Sequence, residues 1–89
     1  METKTMYAVE HYYTDDRRTY DIFETLCEAE SFTSDKNNWD KNHFPLFIFK
    51  ADFNLELIYQ EDNGNWNYED FSDTILGNYR KIKQMDNIN

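Results

Sequence analysis

Three side chains in this sequence carry the chemistry for nucleophilic or metal work: Cys27, His11 and His43. A cysteine becomes a nucleophile when a base lowers or removes its proton, and either histidine has the right type. Cys27, however, falls in a stretch that reads as helix, where a free cysteine is more often a small buried hydrophobe. His11 and His43 stand 32 positions apart, and with one cysteine they give none of the spacings of a zinc site. Gly64 and Gly77 are the chain's two glycines, and neither opens a phosphate-cradling loop. Carboxylates occur side by side at Asp15-Asp16, Glu61-Asp62 and Glu69-Asp70, but neighbours on a strand point to opposite sides and rarely share a site. Aligning Gly64 with the invariant glycine of an EF-hand loop puts Glu61, Asn63 and Asp70 at oxygen-ligand positions. Tyr59 then occupies the first ligand position, and the flanks read as strands, so a hairpin turn is the better reading. The expectation is a non-enzymatic protein with no catalytic residues, no metal ligands and no cofactor.

Charge carries more information. Eighteen acidic residues face 9 basic ones, for a formal net charge of −9. Such a chain repels nucleic acid and anionic membrane, and it attracts basic proteins over about 8–10 Å in physiological salt. Between Lys50 and Arg80 there is no Lys or Arg, while seven carboxylates (Asp52, Glu56, Glu61, Asp62, Glu69, Asp70, Asp73) share the window with six aromatics (Phe53, Tyr59, Trp66, Tyr68, Phe71, Tyr79). Aromatics serve as desolvated anchors at interfaces, and carboxylates steer a basic partner into place. Partner binding is therefore expected at Glu56, Glu61, Asp62, Trp66, Tyr68, Glu69, Asp70 and Asp73, with Tyr59 as a further anchor. A groove that holds nucleic acid meets one phosphate charge per roughly 1.7 Å of duplex, and spaced carboxylates can stand in for that ladder.

In size and charge the chain resembles the small acidic inhibitors that phages and mobile elements use against nucleases, restriction enzymes and CRISPR effectors. That resemblance implies an anti-CRISPR or anti-restriction type of decoy, a nucleic-acid mimic covering a basic site on a nucleic-acid-binding enzyme or effector. The alternative is a small acidic adaptor, subunit or immunity protein whose charge only aids solubility. Arg17-Arg18 and Arg80-Lys81 with Lys83 are the basic clusters, too few for direct nucleic-acid binding.

The frame for these residues is a single domain over residues 1–89, reading as a complete short open reading frame. Phe, Tyr and Trp make up 18% of the chain and supply the core that its low mean hydropathy (−0.96) would otherwise deny. No run reaches the roughly 18–20 apolar residues of a membrane span, the opening Met1-Glu-Thr-Lys-Thr does not read as a secretory leader, and a lone cysteine suits the expected reducing cytoplasm.

The predicted order is β-β-α-β-β-β-α, an α+β domain with two helices packed on a mostly antiparallel sheet. Met6–Tyr13 and Thr19–Glu24 form a hairpin about Thr14-Asp15-Asp16. Thr25 and Glu28 form a capping box for a helix that buries Leu26, Ala29 and Phe32, with Trp39 beyond its end; Asn37 and Asn38 stop it in left-handed geometry. Leu46–Phe53 and Leu55–Glu61 are strands, the second turning through Asn63-Gly64, as a type I′ turn, into Asn65–Tyr68. Leu55, Leu57 and Tyr59 then share the core face. Asp70 or Ser72 caps a last helix burying Phe71, Ile75, Tyr79 and Ile82, whose C-terminal dipole satisfies Arg80, Lys81 and Lys83. An exposed strand edge or aromatic patch also leaves room for a homodimer.

Overall fold

Alternation along Thr3–Tyr13 (β1) gives the strand two buried faces, Met6 and Ala8 on one and Val9 and His11 on the other. Asp16 takes a φ of 77° in the turn that follows, a conformation aspartate tolerates better than most residues. The chain returns as Arg17–Phe23 (β2), antiparallel to β1 with Tyr13 opposite Arg17 and Tyr7 opposite Phe23. Residues 2–85 are described by this computed structural model.

The capping box forms as the sequence predicts. Thr25 Oγ1 accepts from the Glu28 N–H, and the Glu28 carboxylate accepts from the Thr25 N–H, opening the helix Leu26–Ser34 (α1). Its end differs from expectation, since neither Asn37 nor Asn38 adopts a positive φ. Asp35 is extended instead, and its carboxylate caps a short 3-10 turn over Lys36–Asn38. Trp39 follows, buried, with its indole N–H donating to the Phe32 carbonyl.

His43–Asn54 (β3) is, like β1, an interior strand, with β1 on one side and a strand the sequence does not predict on the other. Pro45 sits opposite His11, where the β1–β3 register shifts, one of the few strand positions that tolerate a missing N–H. The expected terminal helix lasts one turn, Phe71–Thr74 (α2), and Ile75–Gln84 continue as a strand, β6. Ile75, Tyr79 and Ile82 have helical spacing, but β3 is apolar on both faces and needs a neighbour along its second edge. Ile, Gly77 and Asn78 are also poor helix formers, so tertiary pairing wins.

The result is a four-stranded antiparallel sheet in the order β2-β1-β3-β6 and a separate two-stranded ribbon, Ile58–Gln60 (β4) with Trp66–Tyr68 (β5). The domain is α+β. One sheet face buries Val9 and Ile48 against Ala29 of α1, with Phe23, Leu26 and Phe32 around them. The opposite face buries Met6, Ala8, Ile22, Ala51 and Phe53 against Ile58 of the ribbon and Phe71 of α2. The acidic window is thus the lid on the second core.

Candidate functional site

The lid begins where β3 stops. Asn54 accepts with its side chain from the Glu56 N–H and with its carbonyl from the Leu57 N–H, turning the chain out of the sheet. This turn interrupts the strand expected over Leu55–Glu61 and resets its alternation. Ile58 points into the core, and Leu57 and Tyr59 are 47% and 59% exposed. The expected facing is therefore reversed for Leu57 and Tyr59, while Leu55 does pack against the core.

The ribbon closes through Asp62-Asn63-Gly64. Glu61 N–H donates to the Asn65 carbonyl, Gly64 N–H donates to the Glu61 carbonyl, and among the three loop residues Gly64 alone has positive φ, at 90°. That is a three-residue loop with a left-handed glycine, not the two-residue type I′ turn expected. Glu61 and Asp62 stand exposed at this tip, and Glu61 accepts from the Asn67 side chain.

Trp66 and Tyr68 face inward, half-buried against Phe71 and the sheet. The Tyr68 hydroxyl donates to the Tyr20 carbonyl at 2.7 Å and accepts from the Tyr20 N–H at 3.1 Å. These two groups lie along the outer edge of β2, so Tyr68 both pins the lid and blocks that edge. Burial pushes the Tyr68 hydroxyl above its usual range, and the bond to Tyr20 partly offsets this. Burial, then the carboxylate of Glu10, pushes neighbouring Tyr20 up to about 12. Tyr20 also stacks on Phe71, with ring centroids 3.9 Å apart and planes within 4°.

Asp70 caps α2 by accepting from the Ser72 N–H at 3.0 Å. This short turn sets Glu69, Asp70 and Asp73 beside the outgoing Asn54 turn. The consequence is a shallow depression of ≈340 Å³ lined by Glu56, Glu69, Asp70 and Asp73, with Leu57, Ile58 and Tyr59 as its apolar wall. Four of the eight predicted binding residues meet there. Glu61 and Asp62 lie at the ribbon tip instead, and Trp66 lines a different depression with Phe23, Glu28 and Gly64. Chemically, the first depression offers carboxylate acceptors around two exposed apolar side chains, which suits an Arg or Lys whose stem also needs cover.

A second cluster forms from residues the sequence keeps apart. His11 is buried between Asp21 and His43: its Nε2 lies 2.7 Å from Asp21 Oδ2 and its Nδ1 lies 2.7 Å from His43 Nε2. An ionised Asp21 carboxylate can only accept, so His11 Nε2–H donates to it; with both imidazoles neutral, His11 Nδ1 then accepts from His43 Nε2–H. Thr19 Oγ1 lies 2.8 Å from the same Nδ1. Aromatic rings enclose the pair. His43 stacks on Tyr13 at 3.8 Å, Arg17 covers the far side of Tyr13 at 4.2 Å, and Trp39 stands edge-on to both imidazoles. Burial, then proximity to His11, holds the His43 pKa below the usual histidine value.

The pairing of β1 with β2 and β3 brings this cluster together, and no spacing in the sequence signals it. The opposition of His11 to Thr19 and of Tyr13 to both Arg17 and His43 follows from register alone. Among the described residues no three His, Cys, Asp or Glu are grouped to hold a metal ion. Cys27 is exposed on α1, not buried as expected of a helical cysteine. No helix among the described residues is long and apolar enough to cross a membrane. Comparison with protein families, with characterised proteins and with solved structures finds no match.

Proposed function

We propose that the chain acts by binding rather than catalysis, as an inhibitor or decoy that covers a basic, nucleic-acid-binding surface on another protein with its acidic lid. The observation that carries this reading is the convergence of Glu56, Glu69, Asp70 and Asp73 around exposed Leu57 and Tyr59, with no cation in the lining. A surface kept acidic for solubility alone gains nothing from exposing a leucine and a tyrosine among its carboxylates. An interface does gain, because the apolar pair supplies desolvated contact and the charges supply steering. Tyr59 takes the anchoring role, since Trp66 and Tyr68 hold the lid to the sheet. Glu61 and Asp62 at the tip extend the acidic field.

The test is competition. Purified nucleases and RNA-guided effectors with basic grooves are loaded with a fluorescent oligonucleotide, and its displacement by the chain is followed by anisotropy. The expected outcome is displacement by the parent, with an on-rate that falls steeply between low and high salt. The variant Glu56→Lys, Glu61→Lys, Glu69→Lys, Asp73→Lys should slow association by about 10²-fold or more while its melting temperature is retained. Asp70 is spared because it caps α2. Binding that ignores both salt and the four reversals leaves the lid as a solubility device and removes the decoy reading.

A further inference from the structure

The strand the sequence does not predict carries cations in need of partners. With β6 a strand, no helix dipole satisfies Arg80, Lys81 and Lys83 as the sequence leads one to expect. Lys83 reaches Glu30 at 3.5 Å and Lys81 lies 3.7 Å from the centroid of the Phe47 ring, which leaves Arg80. The β3–β6 register places Arg80 directly opposite Lys50. Like charges in that position repel, and among the described residues neither makes an ion pair. Lys50 alternates with Ile48, so it stands on the α1 side of the sheet, with its ammonium 5.8 Å from the centroid of the Tyr7 ring. Asp52 is next on that side, but its carboxylate is taken by neutral donors. Thr5 Oγ1–H donates to one oxygen and Asn78 Nδ2–H to the other, and these bonds hold its carboxyl below the usual range. Asn78 reaches it from a bulge: β6 sets Asn78 and Tyr79 where β3 sets only Ala51, and Asn78 takes a φ of 54°. Asparagine tolerates that conformation, and bulges re-aim side chains beside functional sites. The result is a depression of ≈350 Å³ lined by Thr5, Lys50, Asp52, Asn78, Tyr79 and Arg80, with two cations against one carboxylate in a chain of net charge −9.

We propose that this depression binds a phosphate group, either inorganic phosphate or the head of a small phosphate monoester. A phosphate dianion matches two adjacent cations, with the Arg80 guanidinium offering paired N–H donors and the Lys50 ammonium a point charge. A carboxylate ligand brings a single charge and leaves one cation unmatched. Asn78 adds a neutral donor, because its amide has two N–H groups and Asp52 takes one. The volume lies at the lower end of small-ligand sites and leaves room for a short ester substituent beside the phosphate. The site is on the α1 side of the sheet and the acidic lid covers the other side. The proposal therefore does not depend on the decoy reading, and its test uses the purified chain alone.

The test is a titration of the isotope-labelled chain with sodium phosphate, followed by amide NMR shifts at constant ionic strength. At about pH 7.5 a phosphate monoester carries both charges. Shifts at Lys50, Asp52, Asn78 and Arg80 should saturate with a Kd on the order of 1 mM, as two charge-assisted contacts on an open site allow. Lys50→Gln and Arg80→Gln should each weaken binding at least about fivefold, whereas Arg80→Lys, which keeps the charge, should stay within about threefold of the parent. Lys41→Gln, just before β3, should change nothing. Glycerol phosphate distinguishes the two sources: tighter binding than inorganic phosphate assigns the site to an ester, and equal binding assigns it to the phosphate group alone. Sodium acetate, a monoanion, should bind at least about tenfold more weakly than phosphate. Amide dispersion shows that each variant is folded. Shifts that rise linearly to about 50 mM phosphate, that saturate equally well with acetate, or that persist undiminished in both glutamine variants overturn the proposal.

Discussion

The acidic lid and the histidine cluster lie in one small domain and are built in opposite ways. The lid is contiguous in sequence, from the turn at Asn54 to α2 at Thr74, and its carboxylates are exposed. The histidine cluster draws on β1, β2, β3, α1 and the residue after the 3-10 turn, and His11 within it is 6% exposed. Apart from Asp70, which caps α2, the lid can change its charges without disturbing what holds it, because Tyr68, Trp66 and Phe71 hold it from beneath. The cluster has no such separation, because its polar atoms are its packing. Composition therefore marks surfaces, where residues act by being present, while a buried polar network exists only once register has been set.

That contrast predicts unequal stability effects. The largest belongs to His11→Ala. It removes a buried ring that touches Trp39 and Phe32 with centroids 5.4 and 6.0 Å away, and it strips His43 Nε2 of its acceptor. Cavity and lost hydrogen bonding together should cost about 2–4 kcal/mol, read from urea unfolding. Glu61→Lys with Asp62→Lys, at the exposed tip, should change the same measurement by no more than about 0.5 kcal/mol. If the tip pair costs as much as His11, the lid is not energetically separable from the body.

Next in size is Tyr68→Phe, which tests what the half-buried lid aromatics are for. Losing the hydroxyl leaves the Tyr20 N–H and carbonyl without their partner, at a cost of about 1–2 kcal/mol. If Tyr68 is a lid anchor, the urea midpoint falls and partner association is nearly unchanged in the temperature range where the variant is folded. Unchanged stability with lost partner binding would return Tyr68 to the interface role its composition suggests.

What was legible in the sequence follows the same divide. The capping box at Thr25 and Glu28, the first hairpin and the α+β class rest on local chemistry, and each is present. The errors arise where a long-range contact outweighs a local rule. Ile75, Tyr79 and Ile82 have helical spacing, yet the open edge of β3 draws them into a strand. Leu57 and Tyr59 alternate as core residues, yet the Asn54 side chain restarts the count. The acidic depression is half legible, since charge points to Glu56, Glu69, Asp70 and Asp73, but only the turn at Asn54 shows that Leu57 and Tyr59 join them. The meeting of His11 with His43 was not legible at all, because a separation of 32 positions carries no signal until β1 and β3 pair.

The smallest effect tests the cluster by pH. His43 is held below its ordinary pKa by burial first and by His11 second, so the fold prefers its neutral form. A histidine whose folded pKa is depressed contributes stability that is complete above its unfolded value, about 6.5, and is lost as pH falls through the folded value. Stability should therefore decline from about pH 6.5 downward, before the carboxylates titrate. Asp52, held low by hydrogen bonds from Thr5 and then Asn78, loses its contribution only at more acidic pH. The control is His43→Gln, whose side-chain amide can still donate toward His11 Nδ1 but cannot gain a proton in this range. Comparing melting temperatures of parent and variant from pH 8 to pH 5 cancels every group they share. The half-exposed ring is screened by solvent, so the parent should lose only about 0.5 kcal/mol more than the variant. Parallel pH profiles would mean that the pair of imidazoles is held by aromatic packing alone, and that its neutral hydrogen-bond chain contributes nothing to the difference between the cluster and the lid.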